Sequence, residues 1–478
     1  MASVMTCLSC LLVSFDATAQ SVLPEKFILS LQKAGVPSNA VGIMVLPVSA
    51  SSLDAPRIVQ NPDLAMRPAS TMKLLTTLVA LDELGPAFRW KTQILSDAPL
   101  TGDTLNGNLY IHGGGDPDLN MEKLGVLLRN LRNQGLHNIN GNIIVDRSYF
   151  QPERLDTNAP PFDEFPDAYY NVIPDALLIH SNISSINVQS DNDKINASLL
   201  TPLSNTTIIN QLMLNKKPCS AWEKYWQVPT VIDSDNAVNI ILNGSFPRNC
   251  KITQHLNILD RNQYIAHLVR ALWQELGGSW QGQVLDGKTP LNAQLLLEHK
   301  SEPLADLIRI VNKHSDNAMA RSIYLSLGVQ NTQPGVTSAQ TAEARIRTWM
   351  FRHGINDAGL ILENGSGLSR NEQISARQMA GLLLAATRSN WFPEFASSLP
   401  IAGTDGTMRK RLKDSPAAQN ARIKTGTLKD SVAIAGYIRD MHNQNWIIVA
   451  MINSETAEKA RTALDVLIDW IATGDDTQ

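Results

Sequence analysis

Long apolar runs, cysteine and blocks of one charge are what this chain has least of. Beyond its first residues, no segment holds about 18 uncharged apolar residues, which argues against a transmembrane helix and for at most loose membrane association. The 41 Lys and Arg nearly balance 45 Asp and Glu, for a formal charge of −4, and no basic block stands out. No nucleic acid partner is therefore expected. Heptad repeats are missing, so a coiled coil is not expected. The triple glycine Gly113-Gly114-Gly115 is not followed by Gly-Lys-Ser/Thr and no dinucleotide fingerprint is present, so it reads as a tight turn and not a phosphate loop. His112, His180, His255, His267, His299 and His314 show no metal-ligand spacing.

What remains is a chain of 478 residues, 43% of them hydrophobic, too long for one core and suited to two or three domains. Residues 4–15 form a short apolar run, and Ala17 and Ala19 fit a small-residue cleavage site. No Lys or Arg precedes that run and Asp16 is unusual there. The pattern predicts a signal peptide over residues 1–19 and an exported protein. Cleavage after Ala19 removes Cys7 and Cys10 and leaves Cys219 and Cys250. An even pair in an exported chain reads as a disulfide closing a loop, with two buried thiols as the alternative.

Periodicity orders the chain. Residues 23–34 predict a helix ending before Gly35, and 40–48 a strand with 57–60 as its hairpin partner. Between Pro86 and Gly277 the texture changes to short strand-like pieces at 90–95, 105–112, 141–146, 183–188, 207–212 and 238–242, with helices at 119–134 and 261–276. No catalytic cluster is expected in that stretch. Helices at 303–313, 318–327, 341–353 and 375–386, a hairpin of strands 432–438 and 446–452, and a closing helix over 455–472 follow.

Three motifs carry chemistry. Arg67-Pro68-Ala69-Ser70-Thr71-Met72-Lys73 opens a helix whose apolar pattern runs through Leu74, Leu75, Leu78, Leu81 and Leu84. Ser70 and Lys73 then share one face. A serine hydroxyl attacks only when a base takes its proton, and a lysine can be that base in a dry pocket that lowers its pKa. Backbone N–H groups at the helix start point to where an oxyanion would form. Ser315-Asp316-Asn317 sits between two helices, where Ser315 can pass a proton and the Asn317 amide can hold both a carbonyl and a lysine. Lys424-Thr425-Gly426 opens the hairpin: Lys424 brings charge, Thr425 and Thr427 bring hydroxyls, and Gly426 lets substrate lie close to the strand.

In this order the three motifs are the signature of penicillin-binding proteins and serine β-lactamases. The chain resembles one branch in particular, the D-Ala-D-Ala carboxypeptidases/endopeptidases of the class C low-molecular-mass penicillin-binding proteins, peptidase family S13. That branch also carries a long insertion after the Ser-x-x-Lys helix; here residues 71–314 intervene between Ser70 and Ser315. Gly113-Gly114-Gly115-Asp116-Pro117, Asn364-Gly365-Ser366-Gly367-Leu368-Ser369-Arg370 and Leu399-Pro400-Ile401-Ala402-Gly403-Thr404-Asp405-Gly406-Thr407 are similar to it as well. The resemblance implies an α/β fold: a transpeptidase/β-lactamase-like domain, a sheet flanked by helices, split by a long insertion forming two smaller, strand-rich domains. The catalytic domain would occupy 20–95 and 290–478, and the insertion 96–289, with a nested domain at about 155–250.

It also implies roles. Ser70 would be the acylated nucleophile and Lys73 its base. Ser315, aided by Lys424, would relay the proton to the leaving D-alanine nitrogen, and Asn317 would hold the penultimate peptide carbonyl and orient Lys73. Thr425 and Thr427 would bind the terminal carboxylate, and the N–H groups of Ser70 and Thr427 would form the oxyanion hole. Asp146 and Arg370 would meet the ammonium and carboxylate of a diaminopimelyl end. Some members have a glutamine after Lys-Thr-Gly where this chain has Lys429. Peptidoglycan stem peptides are the implied substrates, β-lactam antibiotics the covalent inhibitors, and the periplasm of a Gram-negative bacterium the location; no cofactor or metal is called for. The competing readings are a β-lactamase or esterase with the same acyl-enzyme chemistry, and a catalytically silent cell-wall-binding protein.

Overall fold

The computed structural model describes residues 23–54, 56–157, 159–234, 237–329 and 335–474. The expected signal peptide at 1–19, with Cys7 and Cys10, lies outside the described residues.

A five-stranded antiparallel sheet organises the two ends of the chain. Its order is Ala421–Leu428, Ser431–Arg439, Asn445–Asn453, Val41–Pro47 and Ile58–Gln60. Alternate side chains of these strands enter two different cores, because successive Cβ atoms point to opposite faces. Val41, Ile43, Ile434 and Ile448 pack under the helices Glu25–Ala34 and Arg461–Thr473. Met44, Leu46, Ala433 and Val449 face the helices Lys73–Leu84, Leu304–His314, Asn317–Leu327, Ser338–Arg352 and Ala376–Ala386. With both faces covered, the central strands read as the near-continuous apolar runs seen in the sequence.

The hairpin expected at 432–438 and 446–452 is present, but Lys424-Thr425-Gly426 does more than open it. The motif lies inside a strand of its own, Ala421–Leu428, at the edge of the sheet, where Lys424 pairs with Ala435 and Gly426 with Ala433. Charged and hydroxyl side chains hide this strand from an apolar periodicity, because an edge strand needs only part of its surface buried. The closing helix begins at Arg461, after a 3₁₀ turn over Ala457–Ala460.

The stretch expected as an insertion begins and ends near two neighbouring strands: Lys91–Ser96 and Gln294–Lys300 pair antiparallel. They belong to a five-stranded mixed sheet with Leu109–His112, Ile143–Asp146 and Val284–Asp286, against which Met121–Asn133 and Arg261–Glu275 lie. The strand expected over 105–112 is interrupted at Gly107, where a Cβ would meet Asp97 Oδ1 at 2.5 Å, leaving Thr104–Leu105 and Leu109–His112 in different sheets. Beyond this sheet, Ser184–Ser190 pairs with Ile195–Leu199 and Lys251–Leu256, and Ala237–Pro247 gathers Thr206–Asn210, Met213–Asn215 and Trp226–Ser234. One apolar core, including Ile94, Leu128, Ile186, Ile240 and Trp273, runs through all of it. Cys219 and Cys250 are joined by a disulfide in this part.

Candidate active site

Ser70 does not sit at a simple helix start. It lies in a 3₁₀ turn, Ala69–Met72, that runs directly into the helix Lys73–Leu84. The residue before it, Ala69, has φ +46°, a left-handed conformation unfavourable for a side chain with a Cβ. Two glycines press on this bend. A Cβ on Gly367 would lie 1.8 Å from the Ala69 carbonyl oxygen, and one on Gly426 would lie 3.0 Å from both Ala69 Cβ and the Ser70 nitrogen. Gly426 is thus required to be small by the nucleophile's own backbone.

Lys73 is fully buried. Its Nζ is 3.0 Å from Ser70 Oγ, 2.6 Å from Asn317 Oδ1 and 2.5 Å from the Ser366 carbonyl oxygen. Burial pushes its pKa well below the ordinary lysine value, and the charge of Lys424 adds to this; Asp316 and Glu372 act in the opposite direction, and Arg321 lowers it slightly further. The two carbonyl oxygens can only accept hydrogen bonds. In a neutral amine they take the two N–H groups, and the remaining lone pair is left for the Ser70 hydroxyl. Of the three partners, Ser70 alone can give the lysine a proton.

The second and third motifs meet on the other side of the serine. Ser315 ends the helix Leu304–His314 with φ +62°, and Asn317 begins the next one, whose cap Asp316 accepts from the Met319 N–H at 2.8 Å. Lys424 is fully buried, and its Nζ donates to Ser315 Oγ at 3.0 Å and to the Thr425 carbonyl at 2.9 Å. Burial pushes its pKa down to about 7. Thr425 Oγ1 donates to Thr407 Oγ1 at 2.8 Å, and Arg461 donates to Thr427 Oγ1 at 3.3 Å, so both hydroxyls sit among polar groups.

Three contributors went unread in the sequence. Glu372, buried, accepts the N–H groups of Glu363, Asn364 and Gly365 on one oxygen, at 3.1, 2.8 and 2.7 Å, and that of Gly367 on the other, at 2.8 Å. It thereby shapes the glycine loop whose Ser366 carbonyl holds Lys73. An acid directly after a glycine-rich loop, whose exposed N–H groups form a nest for an anion, was the available signal. Tyr170 comes from the insertion, which was expected to be silent, yet its carbonyl accepts from Asn317 Nδ2 at 2.9 Å and turns Oδ1 of that amide toward Lys73. Arg321 donates to the carbonyls of Val172, also in the insertion, and Leu368.

Asp146 and Arg370 are each engaged by other partners. The Asp146 carboxylate accepts from the Ser148 N–H and hydroxyl, the Thr289 N–H and His112. Those four partners, from a paired strand and the turns beside it, fill its acceptor capacity. Arg370 donates to the Phe162 carbonyl and lies over the Phe162 ring.

Comparison with known proteins agrees with the motif order. Residues 28–473 match the family model described as the D-Ala-D-Ala carboxypeptidase 3 (S13) family. The chain is 28% identical over 401 residues to a D-alanyl-D-alanine carboxypeptidase DacB of Haemophilus influenzae, covering 82% of this chain and 81% of that one. It is 26% identical over 388 residues to a D-alanyl-D-alanine carboxypeptidase of an Actinomadura species, covering 78% and 70%. The crystal structure of penicillin binding protein 4 (dacB) from Haemophilus influenzae superposes with a TM-score of 0.76 at 24% identity, over 93% of this chain and 99% of that one. With its family model spanning nearly the whole chain, this protein belongs to the D-Ala-D-Ala carboxypeptidase 3 (S13) family.

Proposed function

We propose that the chain acts as a serine-type D-Ala-D-Ala carboxypeptidase and DD-endopeptidase on peptidoglycan stem peptides, through an acyl-enzyme on Ser70. The observation that carries this reading is the placement of Lys73 Nζ, with carbonyl oxygens on two sides and Ser70 Oγ on the third, at 3.0 Å. Neutral Lys73 takes the Ser70 proton as Oγ attacks the carbonyl of the penultimate D-alanine. Negative charge develops on that carbonyl oxygen and meets the N–H groups of Ser70 and Thr427. The close packing of Gly426 on the Ser70 nitrogen keeps these two donors near each other. Ser315, held by Lys424, relays to the leaving amine nitrogen the proton that Lys73 took from Ser70, the C–N bond breaks and Lys73 is neutral again; water, giving a proton to Lys73 as it attacks, then hydrolyses the ester, and Ser70 regains its proton. Thr425, Thr427 and protonated Lys424 bind the terminal carboxylate.

Carboxypeptidase and endopeptidase cleavage then differ only in what the leaving amine carries. A β-lactam offers the same carbonyl and carboxylate and acylates Ser70. We place the protein in the periplasm, where the Cys219–Cys250 pair would stay oxidised. The α/β catalytic domain is read as split at the strands Lys91–Ser96 and Gln294–Lys300, with the insertion as its outer wall.

Penicillin should add one acyl mass to the intact protein, and Ser70→Ala should abolish the adduct. An unchanged adduct in that variant would remove Ser70 from its role. Release of D-alanine and of uncrosslinked peptides from purified muropeptides checks the two activities. Rapid turnover of penicillin would favour the β-lactamase reading, and a native protein that takes up no adduct would favour the silent binder.

A further inference from the structure

Beside Asn317 lies a concavity that none of these steps uses. Its volume is about 380 Å³, and its wall comes from separated segments: Asn120 beyond the triple-glycine turn, Tyr169, His180 and His255 from the insertion, and Ala318 next to the catalytic asparagine. Tyr169 is 63% exposed, and the carbonyl of the next residue is the one that accepts from Asn317 at 2.9 Å. Whatever rests on this ring is one residue away from the catalytic machinery.

The wall is mostly apolar, built from Leu119, Leu178, Ile183, Ile310 and Met319, with a few polar side chains set into it. Asn120 uses its Oδ1 to cap a helix at the Lys123 N–H, which leaves its Nδ2 donors for another partner. His255 Nδ1 meets Ser185 Oγ at 2.8 Å, which leaves Nε2. Burial lowers the pKa of His180, with Glu122 opposing and His255 reinforcing, so its ring presents a donor and an acceptor without charge. The acids here are already engaged: Asp118 pairs with Lys123 at 2.7 Å, and Asp316 caps the Met319 N–H. Among the described residues, no Lys or Arg lines the cavity to take a phosphate or carboxylate. An open aromatic face in an apolar wall, beside a few hydrogen-bonding groups, suits a ring that has one apolar face and a rim of hydroxyl and amide groups.

The backbone here is also held in an unusual way. His180, Ser181 and Asn182 have φ of 48°, 51° and 57°, three consecutive left-handed residues, none of them glycine. Such residues normally occur singly. The turn is pinned by Asn182 Nδ2, which donates to Asn257 Oδ1 at 2.7 Å and to the Leu259 carbonyl at 2.8 Å, and by the His180 N–H on the Leu119 carbonyl at 2.8 Å. Strain maintained by so many bonds, at the wall of a cavity, is characteristic of ligand clamps.

We propose that this cavity binds the saccharide portion of the substrate, an N-acetylated amino sugar of the glycan strand, stacked on Tyr169 and hydrogen-bonded by Asn120, His180 and His255. This deepens the peptidoglycan reading above and rests on it. A disaccharide-pentapeptide carries the sugar, and the free pentapeptide does not. The native chain should show a higher kcat/KM on the former. Tyr169→Ala and His255→Ala should each lower kcat/KM on the disaccharide-pentapeptide by about tenfold, the size of one aromatic contact or hydrogen bond. The free pentapeptide and the penicillin acylation rate should change by less than about twofold, since both act only at Ser70. Equal kcat/KM of the native chain on the two peptides overturns the proposal. So does an equal loss on both peptides in the variants, which would mean that the wall reads peptide. Failure of penicillin to acylate the native chain would instead strike the acyl-enzyme reading, so the two can be told apart.

Discussion

The carbonyl oxygen of Ser366 accepts a hydrogen bond from Lys73 Nζ at 2.5 Å. A glycine loop far along the chain therefore holds the proposed base, and that loop is in turn held by one buried carboxylate, Glu372, through four backbone N–H groups.

Glu372→Gln tests that support. Glutamine offers one acceptor oxygen and turns an NH₂ group toward N–H groups, so part of the loop loses its partners. Penicillin acylation should slow by about ten- to a hundredfold, the cost of one or two misplaced charge-assisted hydrogen bonds. Glu372→Asp keeps the charge but is one methylene short, and its rate should fall between the two. Stopped-flow acylation, read with a thermal melt, checks this; a native rate in both variants would mean the loop holds Lys73 without the carboxylate.

The two buried lysines predict a bell-shaped pH profile of kcat/KM, which reports the free enzyme. Lys73 must be neutral to act as base, so activity rises as pH climbs through its lowered pKa. Lys424 must be charged to attract the substrate carboxylate, and with its pKa pushed down to about 7, activity falls above that pH. A thioester or depsipeptide lacking the terminal carboxylate should keep the rising limb and lose the falling one. The same falling limb in both substrates would take the carboxylate role away from Lys424.

Replacing both Cys219 and Cys250 by alanine should destabilise the part around them by about 4 kcal/mol, the size expected when a loop of this length is no longer closed. Penicillin acylation should be nearly unchanged, because Ser70, Lys73, Ser315 and Lys424 draw on a different apolar core. A calorimetric melt together with the acylation rate separates the two effects.

Asp146→Asn should lower thermal stability and reduce turnover of a diaminopimelyl peptide, a plain acyl-D-Ala-D-Ala peptide and penicillin to similar extents. Burial alone would raise the pKa of this carboxylate. Hydrogen bonds from His112, Ser148 and the Thr289 backbone outweigh that and hold it below the usual carboxylate range. The folded state thus prefers the ionised form, and its stabilisation is lost as pH falls through the acid range. A loss confined to the diaminopimelyl peptide would return Asp146 to substrate reading.

Most of the chemistry was legible because it is local. Ser70 and Lys73 lie one turn apart whatever surrounds them, Ser315 and Asn317 lie on either side of a helix break, and the apolar runs of Ser431–Arg439 and Asn445–Asn453 declare a buried hairpin. The motif order pointed to the family, and the family model spans residues 28–473. What the tertiary structure alone decided is made of contacts without a residue-type signature. Any residue can present a backbone carbonyl, so neither Ser366 O on Lys73 nor Tyr170 O on Asn317 could be read from letters. The left-handed bend at Ala69 exists because Gly367 and Gly426 pack against it from distant segments. The partners His112 and Thr289 of Asp146 could not be read in advance, because they become its neighbours only when the strands around them pair. An acid's role is set by which donors reach it first, and for Asp146 they come from a paired strand and the turns beside it.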